Sequence, residues 1–249
     1  MIKISSLKGI CIGAATILAA LSTPASATTL LYDQNVTPDV IFGTGNANGA
    51  FTVDRNAGIE LGLRAKIPFV GTTNSNGDGT YSYSLAEANP RWNFDWTVNT
   101  DYDGTTGQKI SDFTYLLGID FDPGTGTDFL TFDPITTPFA DHSIGDNSTA
   151  NGGGAEATTS AEYQALIDAN NVLQQSWRHA FFPFHPLLSY DPTINGTYDI
   201  FLTAFDGQGQ TAGYTEIRVF IGQIPEPAPF ALMGLSLMLM GLYRRKKSR

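Results

Sequence analysis

Short runs of alternating apolar and polar residues follow one another between residues 28 and 223. The runs are rich in β-branched and aromatic residues, and clusters of Gly, Asn and Asp separate them, which is typical of strands joined by tight turns. The segment 58–67 is the clearest case, because its apolar side chains fall on alternate positions. Its apolar face comprises Ile59, Leu61, Leu63 and Ala65, and its charged face comprises Glu60, Arg64 and Lys66. We expect a half-buried strand here and an all-β domain overall.

The same pattern predicts further strands on both sides of this one. They cover residues 36–42, 50–56, 80–85, 92–97, 113–121 and 128–132. Trp92, Phe94 and Trp96 share one face of the segment 92–97. Large aromatic residues at alternate strand positions are more often core residues than sugar-stacking surfaces, so we expect Trp92 and Trp96, and also Trp177, to be buried.

The last part of the domain predicts a hairpin. Residues 195–206 place Tyr198, Ile200, Leu202 and Ala204 on one face, the chain turns at 207–209, and it returns through 215–221. This stretch resembles the final hairpin of immunoglobulin-like bacterial surface domains, which implies that the Tyr198 hydroxyl forms the corner hydrogen bond of such folds. Because the domain is nearly twice the length of an immunoglobulin module, we expect an enlarged immunoglobulin-like or a jelly-roll-like β-sandwich.

One segment departs from the strand pattern. Thr159 and Glu162 form a capping box, in which the Thr159 side chain accepts from the amide of Glu162 and the carboxylate reaches back. Apolar residues follow at helical spacing as far as Trp177, which predicts a helix over about 160–176. We expect this helical insertion to cover the core.

The first 27 residues have the features of a secretory signal peptide. Lys3 and Lys8 precede an apolar stretch over 9–21, and Ala25-Ser26-Ala27 is a typical cleavage site. We expect the mature chain to start at Thr28. Because the only cysteine, Cys11, lies in the signal, an exported domain over 28–223 must be held together by its core rather than by disulfides.

The charge of the exported domain is strongly negative. Residues 28–223 contain seven Lys and Arg against twenty-three Asp and Glu, a net charge of −16. A field of this sign repels nucleic acids and acidic lipids, so the domain is not expected to bind either of them. It favours solubility and attracts cations such as Ca²⁺.

The C-terminal 26 residues, 224–249, combine three parts in a fixed order. Pro225, Glu226 and Pro227 come first, followed by an apolar run over 228–243. As a helix this run spans about 24 Å, which makes it a short transmembrane segment for a hydrocarbon core of roughly 30 Å. Basic residues follow, and they hold this end on the cytoplasmic side and the domain outside. They include Arg244, Arg245, Lys246 and Lys247.

This arrangement resembles the PEP-CTERM sorting signal of exported proteins from Gram-negative bacteria that make extracellular polysaccharide. The resemblance covers 224–249 only. It implies that a membrane-embedded sorting enzyme, exosortase, recognises and cuts the tail. The protein would then pass through an inner-membrane intermediate to the cell surface or the extracellular matrix. The alternative is an ordinary single-span anchor, which shares the topology but not the processing.

Two glycine-rich loops carry candidate Ca²⁺ ligands. The first contains Asp101 and Asp103, with Asp112 nearby, and the second contains Asp120 and Asp122, with Asp128 nearby. Flexible loops that offer several carboxylate oxygens suit a hard cation. The alternative is that these aspartates only form turns.

Catalytic motifs are scarce in the sequence. The three histidines, His142, His179 and His185, form no metal-binding pair, and adjacent Asp141-His142-Ser143 do not make a triad. We therefore expect no enzyme but an exported surface or matrix protein, structural or adhesive in the polysaccharide layer. A Ca²⁺-dependent carbohydrate-binding module is the alternative, and a glycan-acting hydrolase is less favoured.

Overall fold

A computed structural model describes residues 29–70, 75–88, 92–136, 141–178 and 195–222. These residues form eleven strands and two α-helices. The strands are β1 (Leu31–Gln34), β2 (Phe51–Asn56), β3 (Ile59–Lys66), β4 (Thr80–Tyr83), β5 (Asn93–Asn99), β6 (Thr114–Asp120), β7 (Phe129–Phe132), β8 (Ser143–Gly145), β9 (Val172–Arg178), β10 (Gly196–Phe205) and β11 (Thr211–Ile221). The helices are α1 (Leu85–Ala88) and α2 (Ser160–Ala169). The expected all-β class is confirmed.

The strands form two sheets that make a β-sandwich. The six-stranded sheet has the order β1-β2-β3-β5-β9-β8, and the five-stranded sheet has the order β4-β11-β10-β6-β7. Neighbouring strands are antiparallel except β4 and β11, which run parallel. The predicted hairpin is confirmed as β10 and β11, which occupy the middle of the five-stranded sheet.

The core lies between the two sheets and is rich in aromatic side chains. Trp92, Trp96 and Trp177 are all buried there, as expected. Trp96 and Trp177 pack with ring centroids 5.2 Å apart, and Trp92 contacts Tyr198 from the opposite sheet at 5.9 Å. The inward row of β10 predicted from the sequence is also confirmed, because Tyr198, Ile200, Leu202 and Ala204 are buried.

The expectation that β3 is half-buried is wrong, because both of its faces are covered. Glu60, Arg64 and Lys66 are at most 7% exposed, although they point away from the core between the sheets. Residues 35–50, here called the strap, fold over this second face and bury Val36, Val40 and Phe42 against Phe51 and Val53. Alternation in the sequence therefore identified the two faces correctly but not what lies over the second one.

The charged side chains beneath the strap hold it in place. Asp95 on β5 accepts from Arg64 Nε at 2.7 Å and from Lys66 Nζ at 2.8 Å. Arg64 Nη1 donates to the carbonyls of Ala47 and Gly49 in the strap. The Arg64 guanidinium lies 4.2 Å from the centre of the Phe51 ring. The outer face of the six-stranded sheet is thus a buried polar interface.

The predicted first strand over 36–42 is also wrong, because these residues form part of the strap. The first strand is β1, at 31–34, which pairs with β2. Residues 36–42 belong to no strand ladder. Gln174 accepts from the amide of Ile41 and donates to the carbonyl of Asp39, and the amides of Gly152 and Gly154 donate to the carbonyls of Val40 and Ile41. A buried loop whose backbone groups are hydrogen-bonded in this way has the same hydropathy pattern as a strand.

Helix α2 begins where predicted but ends seven residues early, so the predicted extent of 160–176 is wrong. Thr159 caps the helix by accepting from the amide of Glu162, and the Glu162 carboxylate reaches back to Thr158. The helix ends at Ala169, and Leu173 and Trp177 belong to β9. Pairing of β9 with β5 along seven residues outweighs continuation of the helix beyond Asn170.

The described ranges contain no helix that is long and apolar enough to span a bilayer. The predicted signal peptide, the Pro225-Glu226-Pro227 motif, the transmembrane segment 228–243 and the basic residues Arg244 to Lys247 lie outside the described residues.

Candidate functional site

The outer face of the five-stranded sheet, here called the open face, has a different composition from the covered outer face of the other sheet. Along β10, buried residues alternate with partly exposed Thr197, Asp199 and Phe201. On β11, Tyr214, Glu216 and Arg218 take the corresponding outward positions. Strand pairing places Asp199 opposite Arg218, and Phe201 opposite Glu216. Aromatic and charged side chains therefore stand side by side on this face.

Three partly exposed rings, here called the aromatic row, cross the open face. Phe129 from β7 and Phe201 from β10 meet edge to face, with centroids 5.1 Å apart. Phe201 and Tyr214 from β11 lie nearly parallel, with centroids 6.2 Å apart and an angle of 24° between the rings. Aromatic pairs of this geometry stabilise one another, which holds the rings in a defined arrangement.

Gly118 provides the space that the Phe201 ring occupies. Gly118 on β6 is the cross-strand partner of Phe201. A Cβ atom at Gly118 would lie 2.1 Å from Cε1 of Phe201 and 2.4 Å from its Cζ. The ring therefore lies directly over the glycine, and any side chain at position 118 would displace it.

Charged groups flank the aromatic row with fixed partners. Arg218 donates to Asp199 through Nε at 2.6 Å and Nη2 at 2.8 Å, and this bonding raises the pKa of Arg218 above its ordinary value. The Tyr214 hydroxyl donates to Glu216 Oε2 at 2.6 Å. Burial, and then the Glu216 carboxylate, raise the pKa of Tyr214, so its hydroxyl is protonated at neutral pH. The result is a set of oriented donors and acceptors beside the rings.

Two adjoining hollows lie on the open face. The hollow over the aromatic row has a volume of about 400 Å³ and includes Thr127 and Ile200 in its lining. The second, here called the edge cleft, has a volume of about 220 Å³ and is walled by Tyr32, Asp78 and Arg218. Asp199 and Glu216 line both hollows, so the two form neighbouring parts of one surface.

This combination suits the recognition of a sugar. The C–H faces of a sugar ring are apolar and stack on aromatic rings, while its hydroxyls exchange hydrogen bonds with side chains at the ring edge. Carboxylates and a guanidinium make the stronger, charge-assisted type of such bonds. A mostly apolar surface with a few placed polar groups is also the usual make-up of a ligand site.

The first set of predicted Ca²⁺ ligands binds its own loop. Asp101 accepts from the amide and hydroxyl of Thr106, and Asp103 accepts from Thr105 in the same way. Asp112 accepts from the amide of Lys109. Partial desolvation acts to raise the pKa of Asp101, but the hydrogen bonds that it accepts from Thr106 together hold this pKa below its ordinary value.

The second set centres on Asp120. Its Oδ1 accepts from the amides of Asp122 and Asp128, and Asp122 in turn accepts from the amide of Gly124. Burial raises the pKa of Asp120 although these bonds oppose the shift. Among the residues that the structure describes, no three Asp, Glu, His or Cys side chains converge as metal ligands would. Ca²⁺ binding by either set stays a prediction.

His142 is buried in the core rather than placed in a cleft. Its Nδ1 lies 3.0 Å from the Tyr163 hydroxyl, which itself donates to the carbonyl of Ile135. Burial lowers the pKa of His142 to about 4. His179 and His185 lie outside the described residues.

The aromatic row was missed at the sequence level. The alternation in 195–206 identifies the inward residues, and it assigns no role to the outward ones, which include Phe201. The signal in the sequence was an aromatic residue at an outward position of a strand whose apolar and polar residues otherwise alternate regularly. Such a residue exposes apolar surface, which often marks an interaction site when several lie together.

Comparisons with known proteins provide little to set beside this geometry. No protein-family model and no curated protein matches the chain. Among solved structures, the chain is similar to the crystal structure of the PmoD soluble domain from Methylocystis sp. ATCC 49242 (Rockwell). The identity is 11%, the TM-score is 0.29, and the match covers 68% of this chain and 96% of that chain. A likeness of this size says nothing about ligand or activity.

Proposed function

We propose that this chain is an exported cell-surface or extracellular-matrix protein whose β domain adheres to polysaccharide through the open face. The observation that carries the proposal is the aromatic row of Phe129, Phe201 and Tyr214, which is partly exposed and flanked by charged hydrogen-bonding groups. A stacked sugar ring would remove apolar surface from water and still keep its hydroxyls bonded.

The delivery of the domain is part of the same proposal. Its support is the PEP-CTERM resemblance of residues 224–249, together with the signal peptide features of residues 1–27. In this proposal exosortase is the processing partner, and the membrane holds the tail over 228–243 until it is cut. The matrix is then the place where a polysaccharide-binding face acts.

We also propose a finer fold type for the domain. An immunoglobulin-like or jelly-roll-like sandwich with a helical insertion is supported by the β10–β11 hairpin in the middle of its sheet and by α2 between strands of the other sheet.

Retention on polysaccharide tests the adhesive role. The full-length protein is passed over extracellular polysaccharide from its native host, beside Phe201→Ala. We expect the variant to bind about tenfold more weakly, because it loses the central ring of the row. Phe69→Ala is the matched control, since Phe69 is a fully exposed aromatic residue just beyond the end of β3.

Three results would contradict the proposal. One is equal retention of the wild-type protein and Phe201→Ala. A second is failure of the wild-type protein to bind any polysaccharide of its host. Loss of binding in Phe69→Ala to the same extent as in Phe201→Ala would also count against it, because the effect would then follow exposed apolar surface in general.

A further inference from the structure

The open face carries an excess of negative charge beside the aromatic row. The edge cleft is lined by the carboxylates of Asp78, Asp199 and Glu216 and by the single guanidinium of Arg218. Asp199 and Arg218 hold each other through two hydrogen bonds and so cancel in charge. Asp78 and Glu216 remain as uncompensated charges of this lining.

Glu216 is the carboxylate closest in register to the aromatic row. It is the cross-strand partner of Phe201, and it follows Tyr214 by two positions on the same face of β11. The Tyr214 hydroxyl donates to its Oε2, which fixes the carboxylate without neutralising it. Glu216 is exposed and lines both hollows, so its charge lies where a sugar stacked on Phe201 or Tyr214 would place its ring substituents.

Resting on the proposed polysaccharide-binding role, we propose that the open face selects an amino-bearing, cationic polysaccharide. Its sugar rings stack on the aromatic row, and the ammonium group of one sugar pairs with Glu216. Asp78, whose Oδ1 is oriented by the amide and hydroxyl of Thr80, adds to the negative potential of the edge cleft. The Tyr32 ring that lies against Gly79 offers a second aromatic wall for a cation.

The same charges disfavour the other common classes of polymer. A polyuronate would bring its carboxylates towards Glu216, Asp78 and the domain charge of −16, and like charges repel. A neutral or N-acetylated polymer would keep the stacking but gain no ion pair. Charge complementarity therefore ranks the ligands as cationic, then neutral, then acidic.

Three hexasaccharides of matched size separate these classes. Titration calorimetry of the full-length protein uses a glucosamine hexamer, an N-acetylglucosamine hexamer and a galacturonate hexamer at a mildly acidic pH, where the sugar amines are protonated. We expect the glucosamine hexamer to bind about tenfold more tightly than its acetylated counterpart, and the galacturonate hexamer to bind least. Added salt should weaken binding of the glucosamine hexamer and leave the neutral one unchanged.

The variant Glu216→Gln tests the residue assignment. The amide keeps the acceptor for the Tyr214 hydroxyl but removes the charge, so the preference for the glucosamine hexamer should fall to about twofold while binding of the acetylated hexamer persists. Glu156→Gln is the control. Glu156 is also an exposed carboxylate, but it follows Ala155, which bridges to Ile144 in the six-stranded sheet and not to the sheet that carries the open face.

The outcomes distinguish this inference from the proposed function. Equal binding of the two hexosamine hexamers, or a preference that Glu216→Gln leaves intact, overturns the charge selection while the adhesive role stands. Tighter binding of the galacturonate hexamer overturns it as well. If no polysaccharide binds and Phe201→Ala behaves as the wild type, the adhesive role itself fails.

Discussion

His142 lies among Trp96, Trp177 and Tyr163, with ring centroids 5.5 to 5.9 Å away. Its side chain is fully buried, and Nε2 has no hydrogen-bond partner among the described residues. Protonation of Nε2 would therefore place a charge in the core, and the part of the chain that the structure describes provides no anion to pair with it. This residue makes the stability of the domain depend on pH.

The sign of that dependence follows from the lowered pKa. Burial brings the pKa of His142 to about 4, below the ordinary value of 6.5, so the unfolded chain binds a proton that the folded chain refuses between these values. We expect the free energy of unfolding to fall by about 3 kcal/mol from this group as the pH drops from 6.5 to 4. Well above pH 6.5 His142 is neutral in both the folded and the unfolded chain, so the group contributes no pH dependence there.

Urea unfolding of the wild type and His142→Gln at several pH values isolates this effect. The variant should lose less stability on acidification, by about the same 3 kcal/mol. Asp54, Glu60, Asp120 and Asp133 have pKa values raised by burial, but both proteins share them, so they cancel in the difference. Identical pH profiles for the two proteins would show that the folded core accepts the proton.

At the scale of elements, the strap is bound to the six-stranded sheet by buried charges rather than by apolar contact alone. Asp95 holds Arg64 and Lys66, and Arg64 holds two carbonyls of the strap. Burial lowers the pKa of Lys66, and the nearby Asp95 carboxylate opposes that shift. Removing the one anion would leave two buried cations unpaired.

Asp95→Asn should therefore destabilise the domain by about 3 to 5 kcal/mol, which is the usual cost of breaking a buried ion pair from one side. Urea unfolding measures the loss. The matched comparison is Asp199→Asn, which breaks an exposed pair and should cost about 1 kcal/mol or less. Similar losses in the two variants would mean that the strap is held mainly by its apolar residues.

The strands and the side chains that face the core between the sheets could be predicted where alternation was regular, as in β3, β5 and the β10–β11 hairpin. The end of α2 could not, because Leu166, Leu173 and Trp177 fit both a helical stripe and a helix followed by a strand. Only the pairing of β9 with β5, which joins distant parts of the chain, decides between them. Likewise, no local pattern shows that the strap covers Glu60, Arg64 and Lys66.

Processing of the C-terminal segment 224–249 can be tested directly. If exosortase cuts the tail, mass spectrometry of protein from the native host should find a C-terminus near Pro225 to Pro227. A strain without the sorting enzyme is the control and should retain Tyr243 and the basic end. Retention of that end in both strains would favour an ordinary anchor.

The candidate site depends on the order of the strands in the sheet, which is why the sequence did not reveal it. Phe129, Phe201 and Tyr214 come from three strands, and they meet only because β7, β6, β10 and β11 are neighbours in one sheet. Gly118 contributes by having no side chain, and a glycine in a strand gives no hint of the ring above it. The charge of the domain, in contrast, was readable from composition alone.

The position of β11 has a mechanical consequence. The chain leaves the domain from the end of this strand, and the same strand carries Tyr214, Glu216 and Arg218. While the tail over 228–243 is still in the membrane, a pull between a bound polymer and the membrane would run along β11. Because β11 is bonded to β10 on one side and to β4 on the other, the load would act on both ladders in shear, with many bonds sharing the force at once. A hairpin at the sheet edge would instead lose its hydrogen bonds one after another.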